Sequence, residues 1–525
     1  MITFKTPAVF DGVYYMYNTD TKNYISRAGN YNTQAIMDNY GLAFNVSTDT
    51  ENNTKLQYFD SELWLGDDGS CYGDCTSTRI RTYNITKVAE GYKFLNTNNS
   101  KYLAVNNGQT VGDAVEGDNL QGTSNIWNLE STAAHVANYT TNANKQATDV
   151  ATAASLAGIT TKAALDTELE ANYIAIPVTV TGAKAEKYED YPGNNKDSGP
   201  VAYHSETVNL TPGLYKLSVD AFQRATTNEK VFAADGARGL ICLYAGAVKT
   251  QIKSVSEYGS NSQYASTDYA YNGKYYPNRE ATGYQALETG NYKNEVYFYV
   301  AETSDVEIGI QNASRPGNNC GTWSIYNNWT LTRYISASTT ESVTVTPAGY
   351  ATYVSTLPLD YTSTEIKAYT AKANDGKIVL TQINKVPANT PVVLYKEGGA
   401  TEAIPVATTT DTPAASDLVA GTGAAVATAE GDYTNYILNV GTKGIGFYRA
   451  NSQTVEANRA YMHVSNSETG SMSRMAIVFD NQTTGIANLK AAADGDDAIY
   501  NLNGQRIEKA TKGIYIIDGK KMIMK

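Results

Sequence analysis

Over the first 130 residues, apolar and polar positions alternate in short runs broken by Asn, Gly and Asp, and the pattern comes round three times. The stretch from Gly12 through Asn18 to Tyr24-Ile25 returns as Gly91 through Asn96 to Tyr102-Leu103, and Leu56 to Leu65 is a more divergent middle copy. Each copy closes on aromatic–Asn–aliphatic: Phe44-Asn45-Val46, Tyr83-Asn84-Ile85 and Trp127-Asn128-Leu129. Period-two alternation with such turn residues predicts strands. Three successive units of about 40 residues, none helical, predict a threefold β-trefoil over residues 1–130 with Phe44 and Trp127 in its core.

The period changes after residue 130. Val136, Tyr139, Ala143, Ala147, Val150 and Ala154 recur at three- and four-residue spacing, and Leu165, Leu169 and Tyr173 repeat the pattern beyond Gly158. Residues 131–173 therefore predict a helical hairpin, most simply a spacer. Alternation resumes over 174–335, with a Pro212-Gly213 turn leading into Leu214–Phe222, then Glu295–Val300, Val306–Ile310 and Trp329–Tyr334. Antiparallel strand signals without helix over that length predict a jelly-roll β-sandwich. Residues 336–482 carry Thr/Val/Ala-rich strands and a polar loop from Thr408 to Glu430, a β-rich accessory domain. Residues 483–525 form a linker and a small β tail, where Asn503-Gly504 and Asp518-Gly519 sit between alternating runs as hairpin turns. The fold class expected is mainly β and multidomain.

Composition narrows the function. Charged residues are 18% of the chain and apolar ones 42%, enough to bury several cores. The net charge is −12 with no basic block, so there is no electrostatic footprint for nucleic acid, and no apolar run is long enough to span a bilayer. Three His in separate segments and a Cys71-x-x-x-Cys75 pair with no second pair nearby argue against a metal centre. Four cysteines permit two disulfides; Cys71 with Cys75 and Cys242 with Cys320 stand as either pairs or buried thiols. No nucleophile elbow, Walker loop, dinucleotide fingerprint or zinc-protease motif is present, and nothing calls for a cofactor or requires an enzyme. Tyrosine is the anomaly: 41, against 10 Phe and 4 Trp, a choice of aromatic area that can stay wet on one edge.

Several segments resemble modules of exported proteins. Ser124-Asn125-Ile126-Trp127 is similar to the Gln-x-Trp signature of ricin-type β-trefoil lectins, and Tyr24–Leu42 resembles trefoil-like modules in secreted proteins of gut Bacteroidetes. Gly290–Asn294, Glu307–Ile310 and Trp323–Leu331 resemble β-sandwich carbohydrate-binding modules, with Asn327 where those modules usually carry Asp. Gly513–Ile517 and the Lys-rich end look like the C-terminal sorting domain of type IX secretion cargo. Met1–Lys5 has neither a basic leader nor an apolar run. The resemblance of the tail implies an extracellular or cell-surface protein whose leader is absent from this chain, with attachment through the tail.

The sharpest candidate site lies between Tyr258 and Tyr284, where seven tyrosines stand among Ser, Asn, Gly and Asp. Tyrosine offers a face on which a pyranose ring stacks and a hydroxyl for its substituents, at low entropy cost. Tyr269, Tyr271, Tyr275 and Arg279 are the candidate glycan contacts, unless these rings fold inward and pin a long loop. The function expected is non-catalytic glycan or polysaccharide binding or adhesion. The alternative is a secreted glycoside hydrolase with its site in the sandwich loops, for which two opposed carboxylates would have to meet in a cleft.

Overall fold

The computed structural model describes residues 11–28, 34–51, 53–58, 61–65, 69–75, 81–106, 110–114, 124–184, 201–224, 236–312, 323–469, 472–480, 499–500, 506–507, 513–517 and 520–524. Cys320, the linker before residue 499 and the turn dipeptides Asn503-Gly504 and Asp518-Gly519 lie outside the described residues, as does the Cys75 side chain. The protein is mainly β and multidomain, and divides into two compact units, residues 1–335 and 336–525.

The first unit begins with twelve strands: β1 (Gly12–Asn18), β2 (Tyr24–Ala28), β3 (Gln34–Asp38), β4 (Ala43–Thr48), β5 (Thr54–Tyr58), β6 (Ser61–Leu65), β7 (Cys71–Cys75), β8 (Thr82–Val88), β9 (Gly91–Asn96), β10 (Tyr102–Asn106), β11 (Thr110–Ala114) and β12 (Trp127–Ser131). Antiparallel pairing closes a ring of six, β1–β4–β5–β8–β9–β12 and back to β1. The remaining strands form three hairpins, β2–β3, β6–β7 and β10–β11. Each sequence copy thus supplies two ring strands and one hairpin. The aromatics of the three closing motifs, Phe44, Tyr83 and Trp127, are fully buried in one cluster. Their polar atoms are satisfied there: Trp127 Nε1 donates to the Leu103 carbonyl at 2.8 Å and the Tyr83 hydroxyl to that of Leu63 at 3.3 Å.

The repeat extends to turn geometry. Asn18 Oδ1 accepts from the backbone N–H groups of Asp20 and Thr21, and Asn96 Oδ1 from those of Asn98 and Asn99. Four residues on, Lys22 and Ser100 both take positive φ, 57° and 55°. A buried Asn that supplies a turn's acceptor is the local reason both copies keep it.

Helices α1 (Thr132–Ala153) and α2 (Lys162–Asn172) follow, capped by Ser131 and Thr161, whose side chains accept from Ala134 and Ala164 N–H. They do more than span a gap. Ala147, Val150, Leu165 and Leu169 pack on Leu214 and Tyr297 of the sandwich.

That sandwich comprises β13 (Tyr173–Val178), β14 (Val201–Leu210), β15 (Gly213–Arg224), β16 (Ile241–Ala245), β17 (Val248–Gln251), β18 (Tyr269–Tyr271), β19 (Lys274–Tyr276), helix α3 (Glu280–Leu287), β20 (Lys293–Val300), β21 (Ser304–Asn312) and β22 (Trp323–Ser336). Two four-stranded sheets, β13–β22–β15–β20 and β14–β21–β16–β17, with β15 antiparallel to both its neighbours and the second sheet antiparallel throughout, enclose a core that includes Leu217, Val219, Leu243, Val296 and Ile310. Helix α3 corrects the expectation of a helix-free segment. Its buried face is Thr282, Gly283, Ala286 and Leu287, and Gly283 is small because Ile325 and Phe222 press on it: a Cβ there would stand 3.0 Å from Ile325 Cδ1. A mid-helix glycine among tyrosines hides the helical period.

In the second unit a ten-stranded sheet spans Tyr350–Phe479, with buried residues in two clusters, one around Ile366, Leu394 and Ile404 and the other around Leu380, Tyr436 and Phe447. The pairing of Lys377–Ile383 with Arg474–Phe479 is parallel. Within the same unit, Ile499-Tyr500, Arg506-Ile507, Gly513–Ile517 and Lys520–Met524 make a separate four-stranded antiparallel sheet. No helix among the described residues is long and apolar enough to cross a membrane.

Candidate functional site

Tyr269, Tyr271 and Tyr275 fall on the β18–β19 hairpin. Asn272 and Gly273 form its two-residue loop, with φ of 46° and 74°, the left-handed pair that a tight hairpin demands. Register pairs Tyr269 with Tyr276, Ala270 with Tyr275 and Tyr271 with Lys274. A third strand segment joins through Ser260, whose N–H and C=O both bond the backbone of Tyr275 at 2.9 Å or less.

Because side chains alternate across a strand, Tyr269, Tyr271 and Tyr276 share one face and Tyr275 looks out from the other. The first face is turned inward. Tyr276 is 5% exposed and belongs to a small core with Phe222, Val255, Leu287, Tyr292 and Trp323, against which Tyr264, Tyr269, Tyr271 and Tyr284 pack half-buried. Gly259 is where the chain crosses the Tyr276 ring; a Cβ there would lie 2.8 Å from Tyr276 Cζ. Tyr292 anchors the base, its hydroxyl donating to the carbonyls of Val255 at 3.0 Å and Tyr258 at 2.7 Å. Burial pushes its phenol well above the ordinary tyrosine range.

The outward surface has different company. Tyr258 is 39% exposed, edge-on to Tyr292, and the Lys253 ammonium stands 5.1 Å from its ring centre. Tyr275 is half-buried, Asn261, Ser262 and Asn272 are exposed, and Arg279 is exposed at the N-cap of α3. The structure therefore divides the predicted quartet: Tyr269 and Tyr271 lie together on the inner side, Tyr275 on the outer, and Arg279 on the helix that follows. Tyr258, which bounds the predicted segment but is not among the four candidate contacts, is the segment's most exposed tyrosine.

A second feature lies between the helical hairpin and the sandwich, a cleft of about 520 Å³. Lys162 Nζ sits 2.8 Å from both Asp166 Oδ2 and Glu295 Oε2, so these two carboxylates meet across a single ammonium. Lys216 reaches Glu295 at 3.4 Å and Lys293 at 3.6 Å. Burial alone would raise the Glu295 carboxyl, but the three lysines outweigh it and hold the pKa below the ordinary carboxylate value. A glycosidase acid needs the opposite, a carboxyl kept protonated near neutrality.

The histidines are engaged elsewhere. His135 is buried and stacked on Tyr15, His204 Nε2 meets the Thr181 carbonyl at 2.8 Å, and His463 Nδ1 meets Asn435 Oδ1 at 2.7 Å. Cys71 is buried, and Cys242 is a buried free thiol pushed up to about 12 by burial. Among the described residues no group of three or more His, Cys, Asp or Glu is arranged to hold a metal ion. Comparison with known proteins finds no family model that matches this chain and no curated protein that resembles it significantly.

Proposed function

We propose that this is an exported, non-catalytic glycan-binding or adhesive protein that binds saccharide on the outer surface of the tyrosine hairpin. The observation that carries the reading is the two-sidedness of that hairpin: a rigid aromatic base underneath, with Tyr275 and Tyr258 reaching solvent beside exposed Asn, Ser and Arg279 side chains. A ring held by packing stacks on a pyranose with little further entropy to lose, and the amides and guanidinium supply directional hydrogen bonds. On this reading the six-strand ring with three hairpins is a β-trefoil and the paired four-stranded sheets are a jelly roll. The terminal four-stranded sheet is the sorting element through which the protein reaches, and attaches to, the cell surface. The carboxylate pair in the cleft does not serve the hydrolase alternative, because the Lys162 ammonium bridges Asp166 and Glu295 and helps hold the Glu295 carboxyl below its ordinary value.

The test is a glycan array probed with the full chain and with the variant Tyr258→Ala/Tyr275→Ala. Retention on a defined set of glycans that falls at least about tenfold in the variant supports the site. Unchanged retention by a folded variant, or release of shortened glycans by the wild-type protein, rejects it. Export is tested separately by fusing residues 484–525 to a periplasmic reporter in a bacterium with type IX secretion. Surface display is expected, and a reporter left in the periplasm contradicts the assignment.

A further inference from the structure

We infer that the cleft between the helical hairpin and the sandwich is a second binding site, and that it takes an acidic saccharide. The inference starts from charge. Four cations line the cleft (Lys162, Arg238, Lys253 and Lys293) against two carboxylates, Asp166 and Glu295, in a chain whose net charge is −12. A local excess of positive charge on an acidic protein concentrates anions at that spot.

Two of the four are committed internally. Lys162 holds both carboxylates, and Arg238 forms a two-pronged pair with Glu257 at 2.8 and 3.0 Å while its guanidinium covers the Tyr139 ring at 4.1 Å. The other two hold no carboxylate of their own, although the Lys253 ammonium also stands 5.1 Å from the Tyr258 ring centre. Lys253 pairs with no carboxylate among the described residues; its ammonium donates to the Asn291 carbonyl at 2.6 Å. Lys293 is 54% exposed and, among the described residues, its one carboxylate neighbour is Glu295, at 3.6 Å, which Lys162 already holds at 2.8 Å. Strands β17 and β20 and the segment after β17 hold these lysines on one wall, and the α1–α2 hairpin, packed on Leu214 and Tyr297, is the other.

The remaining lining selects the ligand class. Thr140, Asn144 and Thr250 present hydroxyl and amide groups, which suit a hydroxyl-rich ligand. The ring of Tyr139, the tyrosine in the lining, is already covered by Arg238, so a nucleotide base finds no open stacking face there. The volume of about 520 Å³ accommodates one or two pyranose rings. A sugar bearing a carboxylate or a sulfate matches every one of these features, with its anionic group between Lys253 and Lys293.

Titration calorimetry on the full chain decides the matter, with digalacturonic acid, galactose 6-sulfate and neutral galactobiose as probes. At least one acidic probe is expected to bind about tenfold or more tightly than galactobiose, to weaken as NaCl rises from 50 to 500 mM, and to lose about tenfold in Lys253→Gln/Lys293→Gln. Which acidic probe binds identifies carboxylate or sulfate as the recognised group. Lys293→Gln alone, at an exposed position, gives the same direction of change should the double variant fold poorly. The Tyr275→Ala variant, which leaves the Tyr258 ring beside Lys253 in place, is expected to bind the acidic probe normally, so failure here and failure of the hairpin site are told apart. Equal affinity for acidic and neutral probes, no heat from either acid at millimolar concentration, or a Lys293→Gln variant that binds as wild type overturns the proposal.

Discussion

Tyrosine does opposite work in two regions of the first unit. In the six-strand ring, Tyr83 takes the place that Phe44 and Trp127 hold in the other copies, is wholly buried, and spends its hydroxyl on one backbone carbonyl. In the segment from Tyr258 to Tyr292 the tyrosines are graded. Tyr292 and Tyr276 are buried, Tyr269 and Tyr271 lean on them half-buried, and Tyr258 reaches solvent. The difference teaches that abundance of an aromatic residue says little about a binding surface until strand register assigns it a side. A core tyrosine and a platform tyrosine are separable by what their removal costs.

The largest contrast is expected at Trp127. Trp127→Ala removes a fully buried indole and leaves the Leu103 carbonyl without its donor, and should cost about 3–5 kcal/mol in urea unfolding of the full chain. A loss below about 1 kcal/mol would mean that the ring has no shared core. Tyr292→Phe deletes one hydroxyl from beneath the hairpin and is expected to cost about 1–2 kcal/mol, because the carbonyls of Val255 and Tyr258 lose the donor they share. Asn96→Ala should cost about 1 kcal/mol for the turn it breaks, and Asn18→Ala more, since its Nδ2 also donates to the Ser124 and Ile126 carbonyls. A negligible loss in Asn96→Ala would argue that the copies are alike in sequence only.

The cleft sharpens the comparison by way of pH. The Glu295 pKa is depressed in the folded protein, by its lysines and against its burial, so its contribution is present above the unfolded value of roughly 4.3 and is lost as pH falls through the folded one. The stability gap between wild type and Glu295→Gln should therefore be widest near neutrality and close as melting curves are taken below about pH 4. A gap that widens on acidification would contradict the ion-pair account.

Much of this was legible in the sequence, and the misses have physical causes. The three-copy repeat could be read because its closing motifs recur about every 40 residues and each copy needs a buried aromatic, and the helical hairpin because its period differs from that of its neighbours. Helix α3 was hidden by Gly283, whose smallness answers to Ile325 and Phe222, residues far away in sequence. The sidedness of the candidate tyrosines was available in principle. Tyr271-Asn272-Gly273-Lys274 is a two-residue hairpin signal, and applying its register would have separated Tyr275 from Tyr269 and Tyr271. The cleft was not legible. Lys162, Lys253 and Lys293 come from three elements whose approach is decided by how the helices pack on the sandwich.

The smallest effect on stability belongs to the central claim. Tyr275→Ala and Tyr258→Ala should each change unfolding free energy by less than about 1 kcal/mol, whereas Tyr269→Ala and Tyr271→Ala should cost more because they strip the inner core. The decisive measurement sets these four single variants side by side, scoring affinity for an array-identified glycan against unfolding free energy. The account predicts a crossing. The outer pair loses about tenfold or more in affinity at nearly unchanged stability, and the inner pair loses stability while folded protein keeps its affinity. Outer variants that bind as wild type, or affinity that tracks stability in all four, would contradict a glycan platform on this hairpin.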